Sequence, residues 1–438
     1  ARNIADANGF VNKVMHYAHS KNLQNVSTSS NQKIKSNYSD WKNKMLFVAD
    51  DGSLSDGYTN SHVLQTEMII DAILQDDSSF NVNKVYLDAY AKESTAGGGR
   101  YPDVKREIRE AMNSGTFFVS YIGHGGEVGW ADERILDIEE IRSWNNLDGM
   151  PVFLTATCEF SRFDDPERTS AGEEVILNPN GGAIAMITTT RLVYGGISNN
   201  IGFSINFFEQ VLNEYNGEMP RLGDAVRLTK TISSLGSNYN NRKFILFGDP
   251  ALKLAYPKYN VTTTKLNNIN ISLAPDTIKA LSKIKIEGEV RDENNQLISI
   301  NGFIFPTVYD KSNLISTLDN NNKNNSVDFT NQSNIIYKGI SSVINGKFSF
   351  EFITPKDINY SYGNGRISYY FANDTVDGKG YSEEIIVGGS SNSVYSDIKG
   401  PDVKLYMNDT NFIFGGTTTS NPSLLALIKD DSGINTTG

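Results

Sequence analysis

At 438 residues the chain exceeds one ordinary domain and leaves room for two or three. Its 40 Lys and Arg against 51 Asp and Glu give a formal charge of −11, which opposes a phosphate backbone and excludes nucleic acid as the expected partner. A single cysteine excludes a disulfide framework and a cysteine-rich zinc site, and no apolar run reaches the roughly eighteen residues of a membrane helix.

The pattern from 9 to 20 predicts a helix, followed by a polar linker over 27–40. The apolar run 44–49 reads as a buried strand ending in the carboxylate of Asp50. Val63, Met68, Ile69, Ala72 and Ile73 recur at near-helical spacing and predict a helix over 61–74, with a strand over 82–90 next. Val104, Ile108 and Met112 stand four apart, so a helix over 101–112 leads into an apolar strand over 116–122. A second strand occupies 151–157, then come a helix over 171–177, a strand over 182–188, a helix over 200–214 and a hairpin-like pair over 243–254. Strands alternating with helices predict a parallel sheet covered on both faces. Ala1-Arg2-Asn3-Ile4 lacks the layout of a signal peptide and 431–438 is turn-like, so the expectation is a piece of a longer protein, in which the missing signal peptide says nothing against export.

Two strand ends carry the chemistry. The 116–122 strand gives way to Gly123-His124-Gly125-Gly126, and the 151–157 strand ends at Cys158, the only cysteine. In an open α/β sheet reactive groups collect at such ends. A thiol becomes a good nucleophile as the thiolate, which a neighbouring imidazole maintains near neutral pH. The bland readings are a small buried hydrophobe for Cys158 and a turn histidine bonded to a carbonyl for His124. Against them stand the charged run Glu159, Arg162, Asp164, Asp165, Glu167 and Arg168, which puts Cys158 at an exposed rim, and the glycines around His124, which leave backbone N–H groups open to a substrate.

The runs Tyr121-Ile122-Gly123-His124-Gly125-Gly126, Trp130-Ala131-Asp132-Glu133-Arg134 and Thr155-Ala156-Thr157-Cys158-Glu159-Phe160-Ser161-Arg162-Phe163-Asp164 resemble the gingipain family of cysteine peptidases. Gly97-Gly98-Gly99-Arg100-Tyr101-Pro102, Asn178-Pro179-Asn180-Gly181-Gly182 and Phe247-Gly248-Asp249-Pro250-Ala251 extend the match in family order, most closely to its sortase-like, PorU-type branch. The resemblance implies a caspase-like α/β domain with Cys158 as nucleophile, His124 as the residue that maintains the thiolate and protonates the leaving amine, and Gly125 with Cys158 as backbone oxyanion donors. It also implies a carboxylate that orients the imidazole, for which Asp88 is the candidate. The branch further implies a substrate bearing a C-terminal secretion signal, other type IX secretion components as partners, a lipopolysaccharide acceptor and a place at the cell surface on the outer membrane. The alternatives are a secreted hydrolytic endopeptidase, with Asp164, Asp165 and Glu167 suited to a basic side chain, and a catalytically dead scaffold.

From about 259 helices give way to short alternating runs such as 284–290 and 347–352, with turns at Asn345-Gly346 and Asn364-Gly365. They predict an all-β immunoglobulin-like sandwich, so the expected domains are 1–257, 258–388 and a further β segment over 389–438. The Asn-rich stretch 320–331 reads as a long loop or a disordered insertion. No cofactor is required. Asp50, Asp51 and Asp56 with Gly52 and Gly57 form an acidic loop able to hold structural calcium, although a solvated turn is the simpler reading. Gly97–Arg100 as a phosphate cradle and His16, His19, His62 and Asp50 as zinc ligands both lack the flanking pattern such sites need.

Overall fold

A computed structural model describes residues 2–19, 40–53, 59–195, 201–233, 239–273, 276–391, 400–420 and 422–430. They fall into two compact units. The first takes 39–256 with the N-terminal helix and the distant segment 314–331, and the second takes 257–313 and 332–438.

The first unit is an α/β domain. Its strands are β1 (Lys44–Ala49), β2 (Asn81–Tyr86), β3 (Phe118–Ile122), β4 (Val152–Ala156), β5 (Ala185–Thr189) and β6 (Phe244–Phe247), and its sheet runs β6-β5-β4-β3-β1-β2. All neighbours are parallel except β6, which runs antiparallel to β5. The period of two in each strand divides the core. Met45, Phe47, Phe118, Val152 and Leu154 enter one cluster, while Leu46, Val48, Val119 and Phe153 enter the other on the opposite face.

Helices cover both faces. They are α1 (Ile4–His19), α2 (Ser61–Asp76), α3 (Pro102–Ser114), α4 (Ile138–Ser143), α5 (Ala171–Leu177), α6 (Gly202–Leu212) and α7 (Leu222–Ser233). Pro102 starts α3, where the missing N–H costs nothing, and Val104, Ile108 and Met112 form its buried stripe. Ser170 and Glu173 close a capping box on α5. Two readings need correction here. The strand expected over 82–90 stops at Tyr86 and turns into a 3₁₀ turn over Leu87–Ala89, and the pair expected over 243–254 is the single strand β6.

The second unit is all β. Its main sheet follows one path through Tyr259–Leu266, Lys283–Arg291, Lys347–Ile353, Ser341–Ile344, Gly302–Tyr309, Arg366–Ala372 and Asp377–Ser382. The last strand pairs back with the first, in parallel, at Tyr259↔Gly378 and Asn260↔Lys379. Strand Ile386–Ser390 runs past the boundary expected at 388, and Asp402–Met407 pairs with Leu424–Lys429 as a hairpin. At the two ends of 314–331, strands Asn313–Ser316 and Asp328–Asn331 pair, and Phe329 meets the Tyr86 ring at 4.7 Å inside a cluster with Ala49 and Val63. The Asn-rich stretch is thus an ordered part of the α/β unit.

Candidate active site

β3 and β4 are adjacent and parallel, with Ile122 opposite Ala156. His124 and Cys158 each lie two residues beyond that pair, so strands about 4.8 Å apart deliver both to one end of the sheet. Cys158 is half-buried, and its Sγ–H points to the Val193 carbonyl at 3.7 Å. Glu159 turns the chain through the left-handed region at φ 50°, and its N–H donates to the Arg191 carbonyl at 3.3 Å. The loop is then pinned by Ser161 N–H to the Thr189 carbonyl at 3.0 Å and by Phe160 packing against Trp130.

His124 is held through its backbone. Its N–H donates to Asp50 Oδ2 at 2.7 Å, and its carbonyl accepts from Tyr121 Oη–H at 2.6 Å and Ala131 N–H at 2.9 Å. That last bond makes Gly125 and Trp130 a non-hydrogen-bonded pair, which turns the Gly125 N–H away from the Gly129–Trp130 strand. A Cβ at Gly125 would lie 2.6 Å from Thr157 Oγ1 and 2.8 Å from the Gly129 carbonyl, so the approach of the two loops depends on glycine. Trp130 stacks on Tyr121 at 4.3 Å and anchors the returning strand in the core. The His62 ring, near the start of α2, stands edge-on to the His124 ring at 5.4 Å.

Behind His124 lies a carboxylate cluster. Asp50, Asp51 and Glu133 are all buried, and Lys92 Nζ bridges Asp51 at 3.1 Å and Glu133 at 2.8 Å. Burial pushes the Asp50 carboxyl well above the usual range; the charges of Asp51 and Glu133 add to this and the His124 amide opposes it. Burial also raises Glu133, with Asp51, against the pull of Lys92. The solvated turn expected at Asp50 and Asp51 is therefore a buried one, while Asp56 and Gly57 lie outside the described residues.

A scan against family models matches residues 1–255 to peptidase family C25, the gingipains. The chain belongs to this family. It is a cysteine peptidase. No curated protein matches it. Among solved structures it is similar to the Arg-specific gingipain R, RgpB, with 15% identity over 87% of this chain and 72% of that one and a TM-score of 0.44. A complex of the Porphyromonas gingivalis RgpB pro- and mature domains gives 15%, 86%, 73% and 0.42. Dimeric latent PorU from Porphyromonas gingivalis gives 18% identity and a TM-score of 0.33, over 90% of this chain and 47% of that one.

Of the residues expected in a C25 site, Cys158, His124 and Gly125 meet at one sheet end. Asp88 does not join them. Its carboxylate, in the 3₁₀ turn after β2, accepts from Asn60 Nδ2 at 2.9 Å, Asp319 N–H at 3.1 Å, Asn320 N–H at 2.8 Å and Asn320 Nδ2 at 3.0 Å. Asp50 is a carboxylate that bonds the His124 backbone. Arg100 bonds its own loop carbonyls at Gly97 and Gly99, so that loop is no phosphate cradle, and His16 pairs with Asp148 at 2.8 Å on α1. Sequence reading missed His62 and Glu133 as neighbours of the site. Glu133 carried a weak signal in the family run around Trp130, whereas His62 had none beyond being one of four histidines.

Proposed function

We propose that the chain removes C-terminal secretion signals from exported proteins through an acyl-enzyme and passes the acyl group to an amine, as a sortase-like member of C25. In this reading the Cys158 thiolate attacks the scissile carbonyl, the C–N bond breaks as His124 gives its proton to the departing amine, and a thioester remains on Sγ. The tetrahedral oxyanion lies against the N–H groups of Gly125 and Cys158, each donor contributing on the order of 2.7–4 kcal/mol. An incoming amine then attacks the thioester, loses its proton to His124 and releases the thiolate. Asp88 takes no part and anchors segment 314–331.

The observation that carries the choice over an arginine-selective endopeptidase is the pairing of Asp164 and Asp165, two of the three carboxylates in the acidic loop after Cys158, and of the neighbouring Glu127. Asp164 bonds Arg191, Asp165 lies 3.9 Å from Arg168, and Glu127 takes Arg162 at 2.7 Å and Arg168 at 3.5 Å. Carboxylates already matched by arginines of the same chain offer little to a basic substrate side chain. Leu192 and Tyr194, flanking the Val193 carbonyl that faces Cys158, are exposed, as is Phe163, which suits an apolar, extended segment. The sequence runs shared with the PorU-type branch support export to the cell surface and a lipopolysaccharide amine as acceptor.

The test is partition of the acyl-enzyme. With a peptide ending in a secretion signal, an adduct on Cys158 should form, and an added amine at millimolar concentration should cap the new C-terminus despite the excess of water. Mass spectrometry reads the product. A free carboxylate under every acceptor condition would establish the hydrolytic alternative.

A further inference from the structure

Helix α2 starts in an unusual way. Asn60 stands at its capping position, where an asparagine ordinarily serves the orphan N–H groups of the first turn, yet its side chain makes no cap hydrogen bond. The side chain is buried and reaches elsewhere, with Nδ2 2.9 Å from Asp88 Oδ2, 3.2 Å from Thr317 Oγ1 and 3.0 Å from the Asn325 carbonyl. Val63, in the first turn, is fully buried in the cluster with Ala49, Tyr86 and Phe329. His62 lies between these two anchors, and its carbonyl accepts from Thr66 Oγ1–H at 2.8 Å. Its backbone is therefore fixed from both sides.

The His62 ring meets the His124 ring at 5.4 Å and 89°, an edge-to-face contact. The His124 backbone is itself held by Asp50, Tyr121 and Ala131. A held backbone still leaves an imidazole two side-chain torsions, of which the second is broad. A perpendicular ring on an anchored helix start restricts both, because turning His124 towards it meets atoms and turning away gives up the contact. Orientation matters here, since proton transfer between imidazole and thiol needs hydrogen-bond reach and alignment.

We propose that His62 is a positioning residue, whose ring keeps the His124 imidazole in the orientation that serves Cys158 without touching substrate. The inference rests on His124 and Cys158 being the reacting pair and is indifferent to transfer against hydrolysis. It also gives the uncapped helix start a use: Asn60 fixes the place from which His62 projects.

The experiment uses the whole 438-residue chain. His62→Ala should lower kcat about tenfold and leave KM within about twofold, with the alkylation of Cys158 by a peptidyl inhibitor slowed in step. His62→Phe, which restores a flat ring at the same place, should return most of that loss; a phenylalanine variant as slow as the alanine one would overturn ring contact as the cause. His124→Ala runs beside them. Loss of turnover there with an unchanged kcat in His62→Ala would overturn the inference and leave the reacting pair standing, whereas turnover surviving His124→Ala would remove the pair itself. Should His62→Ala fail to fold, proton NMR of the unaltered chain still decides, because only four histidines contribute ring signals. A nuclear Overhauser contact between the His62 and His124 rings is expected, and its absence would overturn the proposal.

Discussion

Gly125→Ala tests whether the close approach of the two strand-end loops sets the reactive geometry. The new methyl would sit 2.6 Å from Thr157 Oγ1 and 2.8 Å from the Gly129 carbonyl, about 0.8 and 0.6 Å inside the 3.4 Å at which ordinary contact begins. The second neighbour is backbone held by the short hairpin under Trp130, so the Gly125 segment itself must move. A misplacement of about 1 Å costs on the order of 100-fold in rate, so a shift of this size should lower kcat/KM by about 10- to 100-fold, equivalent to roughly 1.4–2.7 kcal/mol. Stability should fall by only about 1–2 kcal/mol, since neither Thr157 nor Gly129 belongs to either apolar core cluster. The assay pairs peptide turnover with the rate at which a peptidyl thiol-directed inhibitor alkylates Cys158; both should drop together. Adding Thr157→Ala should return part of the loss, because Thr157 Oγ1 is buried without a hydrogen-bond partner and its removal leaves only the Gly129 clash. Wild-type kcat/KM in the single variant would refute the reasoning.

Three further outcomes are expected. Cys158→Ser and His124→Ala should each abolish peptide turnover at unchanged melting temperature, and their combination should cost no more than either alone; near-normal turnover by the serine variant would exclude thiolate chemistry. Asp88→Asn should lower the melting temperature and expose 314–331 to proteolysis, because it weakens an acceptor for four donors, while leaving kcat within a few fold; a kcat loss at full stability would instead make Asp88 catalytic. Lys13 is buried, donates to the Ile176 carbonyl at 2.9 Å, and is lowered by burial to about 7 from 10.5. The unfolded chain keeps that proton over the interval in which the folded chain has lost it. Stability should therefore rise with pH from about 7 towards 10.5, by at most about 1.4 kcal/mol per unit, and Lys13→Met should flatten the rise in urea titrations.

The α/β unit was legible because its strands are short apolar runs that end in glycine or charge, and such a run has few ways to lie except inside a covered sheet. His124 and Cys158 were legible for the same reason, since strand ends fix direction as well as position. Asp88 was misread at a strand end. The run 82–90 looked continuous, yet its last residues form a 3₁₀ turn that points the carboxylate at Asn60 and Asn320. Helix α7 went unread because its buried stripe, Leu222, Ala225, Val226 and Thr229, mixes small and polar residues.

Segment 314–331 marks where reading along the chain stops working. Its Asn and Asp residues carry no periodic apolar signal, so by composition they cannot order themselves. What orders them lies about 230 residues earlier: the Asp88 carboxylate, whose turn gathers Asn60, Asp319 and Asn320, and the Tyr86 ring that receives Phe329. Amide side chains are suited to such a place. Each offers a donor and an acceptor without adding charge to a region that already holds Asp50, Asp51, Asp88 and Glu133. An aspartate at 321 would face Asp51 across a hydrogen bond that no longer has a donor, so the neutral amide lets a later segment of the chain close over an acidic centre. The polar composition that looks like disorder in one dimension is, in three, the complement of a buried negative site.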